Sequence, residues 1–239
     1  MRWRGGAGLG IALSFSVSAA LLCVVVTGTD DRPASDQGHV AGSKPSENVI
    51  QVQTAPRISL TDLSRQDYGG IRLPWSASDG PHNTKEGAAS GFAQSPRGAL
   101  LAAIHITVRA NAVWGPQVFE QTISRQVTGP EVSELLTQTR EAYEQQRQRG
   151  RLPYGRALGR AYVAIEAFRW LGYTPTIANL DLLTAGPGDS DVTVRAVTRV
   201  QLQWLHGDWR VVGPPDGDWA ATATPITSTN GYSYFPANG

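Results

Sequence analysis

VTVRAVTRVQLQWLHGDWRVV, residues 192–212, is the stretch whose reading decides the fold. Val192, Val194, Ala196, Val200, Leu202 and Trp204 fall on one side of an extended chain, and Thr193, Arg195, Arg199, Gln201 and Gln203 on the other. A period of two is that of a half-buried strand. His206-Gly207-Asp208 then reads as a tight connection, after which Trp209 and Val211 resume the apolar side on a following strand. A glycine-bearing turn between two such runs predicts a β-hairpin, closed by Gly213-Pro214-Pro215.

Working outward, two more strands precede the hairpin. RAYVAIEAFRWLGY (160–173) is rich in aromatic and β-branched residues and is punctuated by Gly172. TPTIANLDLLTAG (174–186) follows and runs into the turn cluster Gly186-Pro187-Gly188-Asp189. Further upstream the period becomes helical. Ser95-Pro96 is a helix start, with serine as cap and proline where its missing N–H costs nothing, and Leu100, Ile104 and Val108 recur behind it. Pro116 opens a second helix with Phe119, Ile123 and Val127 at the same spacing, ended by Gly129. Thr128-Gly129-Pro130-Glu131 fits a capping box for a third, whose inner side is Val132, Leu135, Leu136, Thr139 and Tyr143. Arg147 and Arg149 precede its stop at Gly150, where the helix dipole favours cations. Helices followed by an antiparallel meander predict an α+β domain over residues 94–213, its helices packed on a curved, cone-like sheet of four strands.

The flanks differ in character. Residues 58–93 are expected to form an extended packing segment, with Ile71, Leu73, Pro74 and Trp75 as the packing strip. Residues 214–239 make a tail low in charge, with Trp219, Tyr232, Tyr234 and Phe235 available to dock on the domain or on a partner. At the other end, Arg2 and Arg4 precede an uncharged run to Gly28, and Asp30 and Asp31 follow it. About 20 such residues span a bilayer as a helix. Cations before and anions after predict a single-pass anchor over 1–28, with a cytoplasmic N-terminus and everything beyond it outside the cytoplasm. A cleaved export signal is the alternative; it exports the remainder equally. Residues 29–57, rich in Ser, Gly, Pro and Asp, read as a disordered spacer.

Composition narrows the chemistry. A formal net charge of +1 offers no phosphate-neutralising stripe, so direct nucleic-acid binding is not expected. The single cysteine, Cys23, lies in the predicted anchor, which leaves the exported part without disulfides or thiolate ligands. His39, His82, His105 and His206 show no metal-ligand spacing, and neither a nucleophile elbow nor a phosphate-binding loop is present. No catalytic, cofactor-binding or metal-ligating residue is therefore assigned. One enzymatic alternative remains open: Glu166 and Asp181 lie in predicted strands, and either would make a base of raised pKa if it pointed into an apolar pocket. Arg147, Arg149, Arg151, Arg156 and Arg160 suit helix-end complementarity and a solvated loop, or a surface for an acidic partner, anionic headgroups or DNA in transit.

The order of anchor, polar spacer, helices and a meander ending in VQLQWLHGDWRV resembles nuclear-transport-factor-2-like extracytoplasmic domains. Among these it resembles the bitopic membrane proteins of conjugative type IV secretion machinery, including the TcpC family. GFAQSPRGALLAAIHITVRANAVWGP (91–116) is similar to a stretch in proteins of actinobacterial conjugative elements. The resemblance covers roughly residues 91–213. It implies a non-catalytic assembly component of a DNA-transfer apparatus, in contact with other membrane components of the channel and with copies of itself. TcpC-like proteins often carry two tandem domains, whereas this chain has length for one. An exported ligand-binding or isomerase-like cone domain, and a cell-envelope accessory protein unrelated to conjugation, are the alternatives.

Overall fold

The computed structural model of the protein describes residues 55–188 and 192–236. The predicted anchor, most of the predicted spacer, His39 and Asp189 lie outside the described residues. Among those described, no helix is long and apolar enough to cross a membrane.

Two strands, β1 (Ser64–Tyr68) and β2 (Ile71–Trp75), form an antiparallel hairpin of their own. Ile71 and Leu73 are buried in the core, as expected for a packing strip. Helix α1 (Pro96–Arg109) starts where its cap predicts, with the Ser95 side chain accepting from Gly98 N at 2.9 Å. It is the central element: Leu100, Leu101, Ile104 and Ile106 are all fully buried. Helix α2 (Pro116–Gln126) packs on α3 (Val132–Arg149) through Phe119 and Tyr143, whose rings lie 5.8 Å apart.

The connection between these two helices departs from the expected form. α2 ends at Gln126, before Gly129, because Val127–Thr128 become a short strand, β3. Thr128, the expected cap of α3, is instead paired in parallel with Val212, and Glu131 sits at the cap position without a side-chain cap hydrogen bond. Long-range strand pairing has overridden a local capping signal.

The main sheet is mostly antiparallel and has seven strands where four were expected. The four long ones are β4 (Ala164–Tyr173), β5 (Ile177–Pro187), β6 (Thr193–Leu205) and β7 (Asp208–Val212). β6 and β7 are joined by His206 and Gly207, both at positive φ (54° and 78°), the signature of a two-residue turn whose twist matches the strands. Gly186 and Pro187, expected in a turn, extend β5 and pair with Val194 and Thr193. Besides β3, the extra strands come from the tail. β8 (Ala223–Pro225) pairs with β6, and β9 (Ser233–Tyr234) pairs with β4.

Residues 223–234 thus run from the edge of β6 to the edge of β4. On the way Ile226 and Tyr232 cover a small second core of Ala167, Leu183 and Val197. That cover changes the reading of β6. Val200 and Leu202 face the helices as expected, but Val197, on the opposite side, is buried too, while Val192 and Val194 are exposed. Both sides of the sheet are therefore packed in part, which the simple alternation did not anticipate.

Candidate functional site

Glu166 and Asp181 both belong to the tail side of the sheet. Leu180 and Leu182 point to the main core, so Asp181 between them points away from it, and it is only 1 % exposed. Its two oxygens are taken separately, by Arg169 at 2.7 Å and by Arg199 at 3.1 Å. The Arg169 guanidinium also stacks 4.6 Å from the centre of the Tyr232 ring, which ties this ion triad to the tail above it. Glu166 is held by a two-point contact from Arg195 at 2.7 and 3.1 Å. A base needs a free lone pair facing substrate. Here every carboxylate oxygen already accepts from a guanidinium, and Glu166 does so through the two-point fork that suits carboxylate geometry. The space on the main-core side is filled by Phe168, Trp209 and Phe119.

His105 lies in a second polar cluster, within the core. Its Nε2–H donates to the carbonyl oxygen of Pro74 at 2.7 Å, and its Nδ1 accepts from the Arg109 guanidinium at 2.7 Å. Because a carbonyl can only accept and a guanidinium only donate, these partners set a neutral, Nε2-protonated imidazole. Burial first, and then the Arg109 charge, push its pKa down to about 3. Arg109 is 4 % exposed and lies 4.2 Å over the Tyr68 ring, at the carbonyl-rich end of α1. Cation–π contact and the helix dipole replace a carboxylate partner there. The cluster joins α1 to the β1–β2 hairpin.

A third cluster fixes the start of α1. Asp79 accepts from Ser95 at 2.5 Å, from Ser78 at 2.6 Å and from Arg97, which also reaches Asp62 at 2.6 Å. Burial opposes the Asp79 charge, but these hydrogen bonds outweigh it and hold its pKa below the usual carboxylate range. Nearby, a cleft of about 310 Å³ is lined by Lys85, Gln126, Asp208 and Arg210 among others. Asp208 is committed to structure, accepting from Gly91 N at 2.8 Å and Phe92 N at 3.0 Å. His82 and His206 are exposed. Among the described residues no group of three or more His, Cys, Asp or Glu is placed to hold a metal ion.

The arginines singled out in the sequence divide. Arg147 closes onto Glu144 and the Leu152 carbonyl, which is helix-end complementarity. Arg160 approaches Asp67 only at 3.5 Å. Arg149, the last residue of α3, and Arg151 and Arg156, on the loop after it, are exposed. Sequence reasoning singled out these cations but not the neighbouring Tyr154 and Tyr162, which are 68 % and 65 % exposed. Two large aromatics in an arginine-rich loop were the available signal.

Geometry thus defines an α+β domain in which the buried charged side chains brace one element against another. The chain belongs to a family described as a domain of unknown function (DUF8175), whose model matches residues 29–234. No curated protein and no solved structure matches it.

Proposed function

We propose that this protein is a non-catalytic assembly component of a conjugative, type IV secretion apparatus, anchored in the cell membrane by residues 1–28. Its globular part stands outside the cytoplasm and works through contacts with other channel components and with copies of itself. The observation that supports this best is the fate of the two candidate carboxylates. Asp181 and Glu166 are spent on arginine pairs that tie strands together, the arrangement of a scaffold. Register breaks in β4 against β5, between Ile165 and Ala167 and between Trp170 and Gly172, support a curved, cone-like wrap of the long strands over the helices.

Exposed apolar side chains sit at both ends of the long strands: Val192 and Val194 at one, Leu171 and Ile177 at the other. Apolar surface of this kind suits weak contacts made effective by tethering in a common membrane. The test is DNA transfer from donor cells lacking the gene. The full chain restores transfer, a version without residues 1–28 does not, and crosslinking traps the full chain with channel components. Normal transfer in the deletion strain overturns the conjugative assignment. Recovery of the full chain from the soluble fraction overturns the anchor.

A further inference from the structure

Between Gln145 and Val163 the chain has five arginines and no acidic residue. The loop that follows α3 is nonetheless held firmly. Leu158 is buried and its N–H donates to Val113 O at 2.8 Å; Ala161 N donates to Gly69 O at 2.9 Å. The Tyr143 hydroxyl donates to Arg156 O at 2.9 Å, and Leu152 N to Arg147 O at 2.9 Å. These anchors use backbone groups and inward side chains, so the outward ones are left for solvent. They are Arg149, Arg151 and Arg156, interspersed with Tyr154 and Tyr162, while Arg160 beside them faces Asp67 at 3.5 Å. Arg151 sits at φ 53°, in the left-handed position that closes the end of α3, and its side chain is exposed.

We propose that this loop binds the anionic lipid surface of the membrane in which the chain is anchored, a reading that rests on the anchor proposed above. Arginine forks suit phosphate oxygens, and tyrosine is an interfacial side chain, apolar in body and polar at its tip. Each arginine near an anionic surface is worth about fivefold in partitioning, so Arg149, Arg151 and Arg156 together give roughly a hundredfold. That is weak for a free protein and sufficient for a tethered one. The reach is adequate. The chain enters beside the first turn of α1, where Ser59 O accepts from Arg97, while the loop packs beyond the last turn. The fourteen residues of α1 separate the two by about 21 Å. A polar coil the length of residues 29–57 has a root-mean-square span of about 30 Å. Single-stranded nucleic acid is less suited, because a formal net charge of +1 offers no extended basic track for a phosphate backbone.

The test uses the full chain with Cys23→Ser and Ala157→Cys, the latter an exposed loop position, carrying a polarity-sensitive fluorophore. It is reconstituted into vesicles of phosphatidylcholine alone, or of phosphatidylcholine with phosphatidylglycerol. Flotation with both vesicles reports the anchor; the fluorophore reports the loop. Expected is a blue-shifted emission with phosphatidylglycerol only, reversed by about 0.5 M NaCl. The shift is also lost in a triple variant of Arg149→Gln, Arg151→Gln and Arg156→Gln that retains the parent's circular dichroism. Flotation with both vesicles and no shift overturns the loop's role and leaves the anchor standing. A shift with a single-stranded oligonucleotide but not with phosphatidylglycerol overturns it in favour of nucleic acid. Failure to float with either vesicle overturns the anchor, and the loop's role with it.

Discussion

Acidification should unfold this domain partly through one side chain, His105. Its neutral form is required twice, by the Pro74 carbonyl on Nε2–H and by the Arg109 guanidinium on Nδ1. An imidazolium would direct a second N–H at the Arg109 N–H groups and place two cations in contact, away from water. The folded pKa of about 3 compares with an ordinary value of about 6.5 in an unfolded chain. The folded state therefore resists protonation, and the unfolded state takes up the proton first. The stabilising contribution is complete above about pH 6.5 and is lost as pH falls towards 3, at about 1.4 kcal/mol per pH unit. At pH 4.5 the loss is about 3 kcal/mol, a large share of the 5–15 kcal/mol typical of a domain. Urea unfolding of the full chain in mild detergent at pH 7 and pH 4.5 measures it. The comparison is His105→Gln, whose amide offers one donor and one acceptor but no proton to gain. The variant should start less stable at pH 7 and lose about 3 kcal/mol less on acidification. Equal losses in the two proteins would refute the reasoning. Asp79 does not confuse the result, because its pKa is held below the ordinary carboxylate value of 3.8, so its contribution is retained at both pH values and lost only at lower pH.

Two further outcomes are expected. Asp181→Ala strands Arg169 and Arg199 beneath the tail; because both arginines are partly solvated, the cost should be about 2 kcal/mol, below that of breaking a fully buried pair, as read from the urea midpoint. Gly217→Ala sets a methyl 2.6 Å from Leu135 N at φ 68°, which α3 cannot yield without shifting, so a loss of at least about 2 kcal/mol should appear in thermal unfolding.

What could be read from the residues depended on how far away the deciding contact lay. Ser95 caps α1 through an N–H three residues on, so its role was legible from spacing alone. Thr128 carried an equally good local signal, but its partner, Val212, is 84 positions away in the chain, and the pairing won. The hairpin at His206-Gly207 was legible for the same reason as Ser95: two adjacent residues adopt positive φ and the flanking strands follow. Val197 illustrates the opposite case. Its burial depends on Ile226 and Tyr232 from a stretch with no periodicity of its own. The carboxylates were found as titratable groups in strands, but which side they took, and that arginines from β4 and β6 would meet there, required the register. His105 was visible only as a histidine without metal-ligand spacing; the buried Arg109 against its Nδ1 had no local signature.

The way residues 223–234 finish the sheet bears on how the protein is made. A nascent chain that has emerged only as far as Val212 already holds β4 to β7, yet stretches of β4 and β6 that β9 and β8 later occupy are still bare. Unoccupied backbone of that kind invites pairing with a neighbouring polypeptide. Each molecule therefore passes through an interval, before residues 223–234 arrive, when those bare strand stretches need shielding wherever the domain folds.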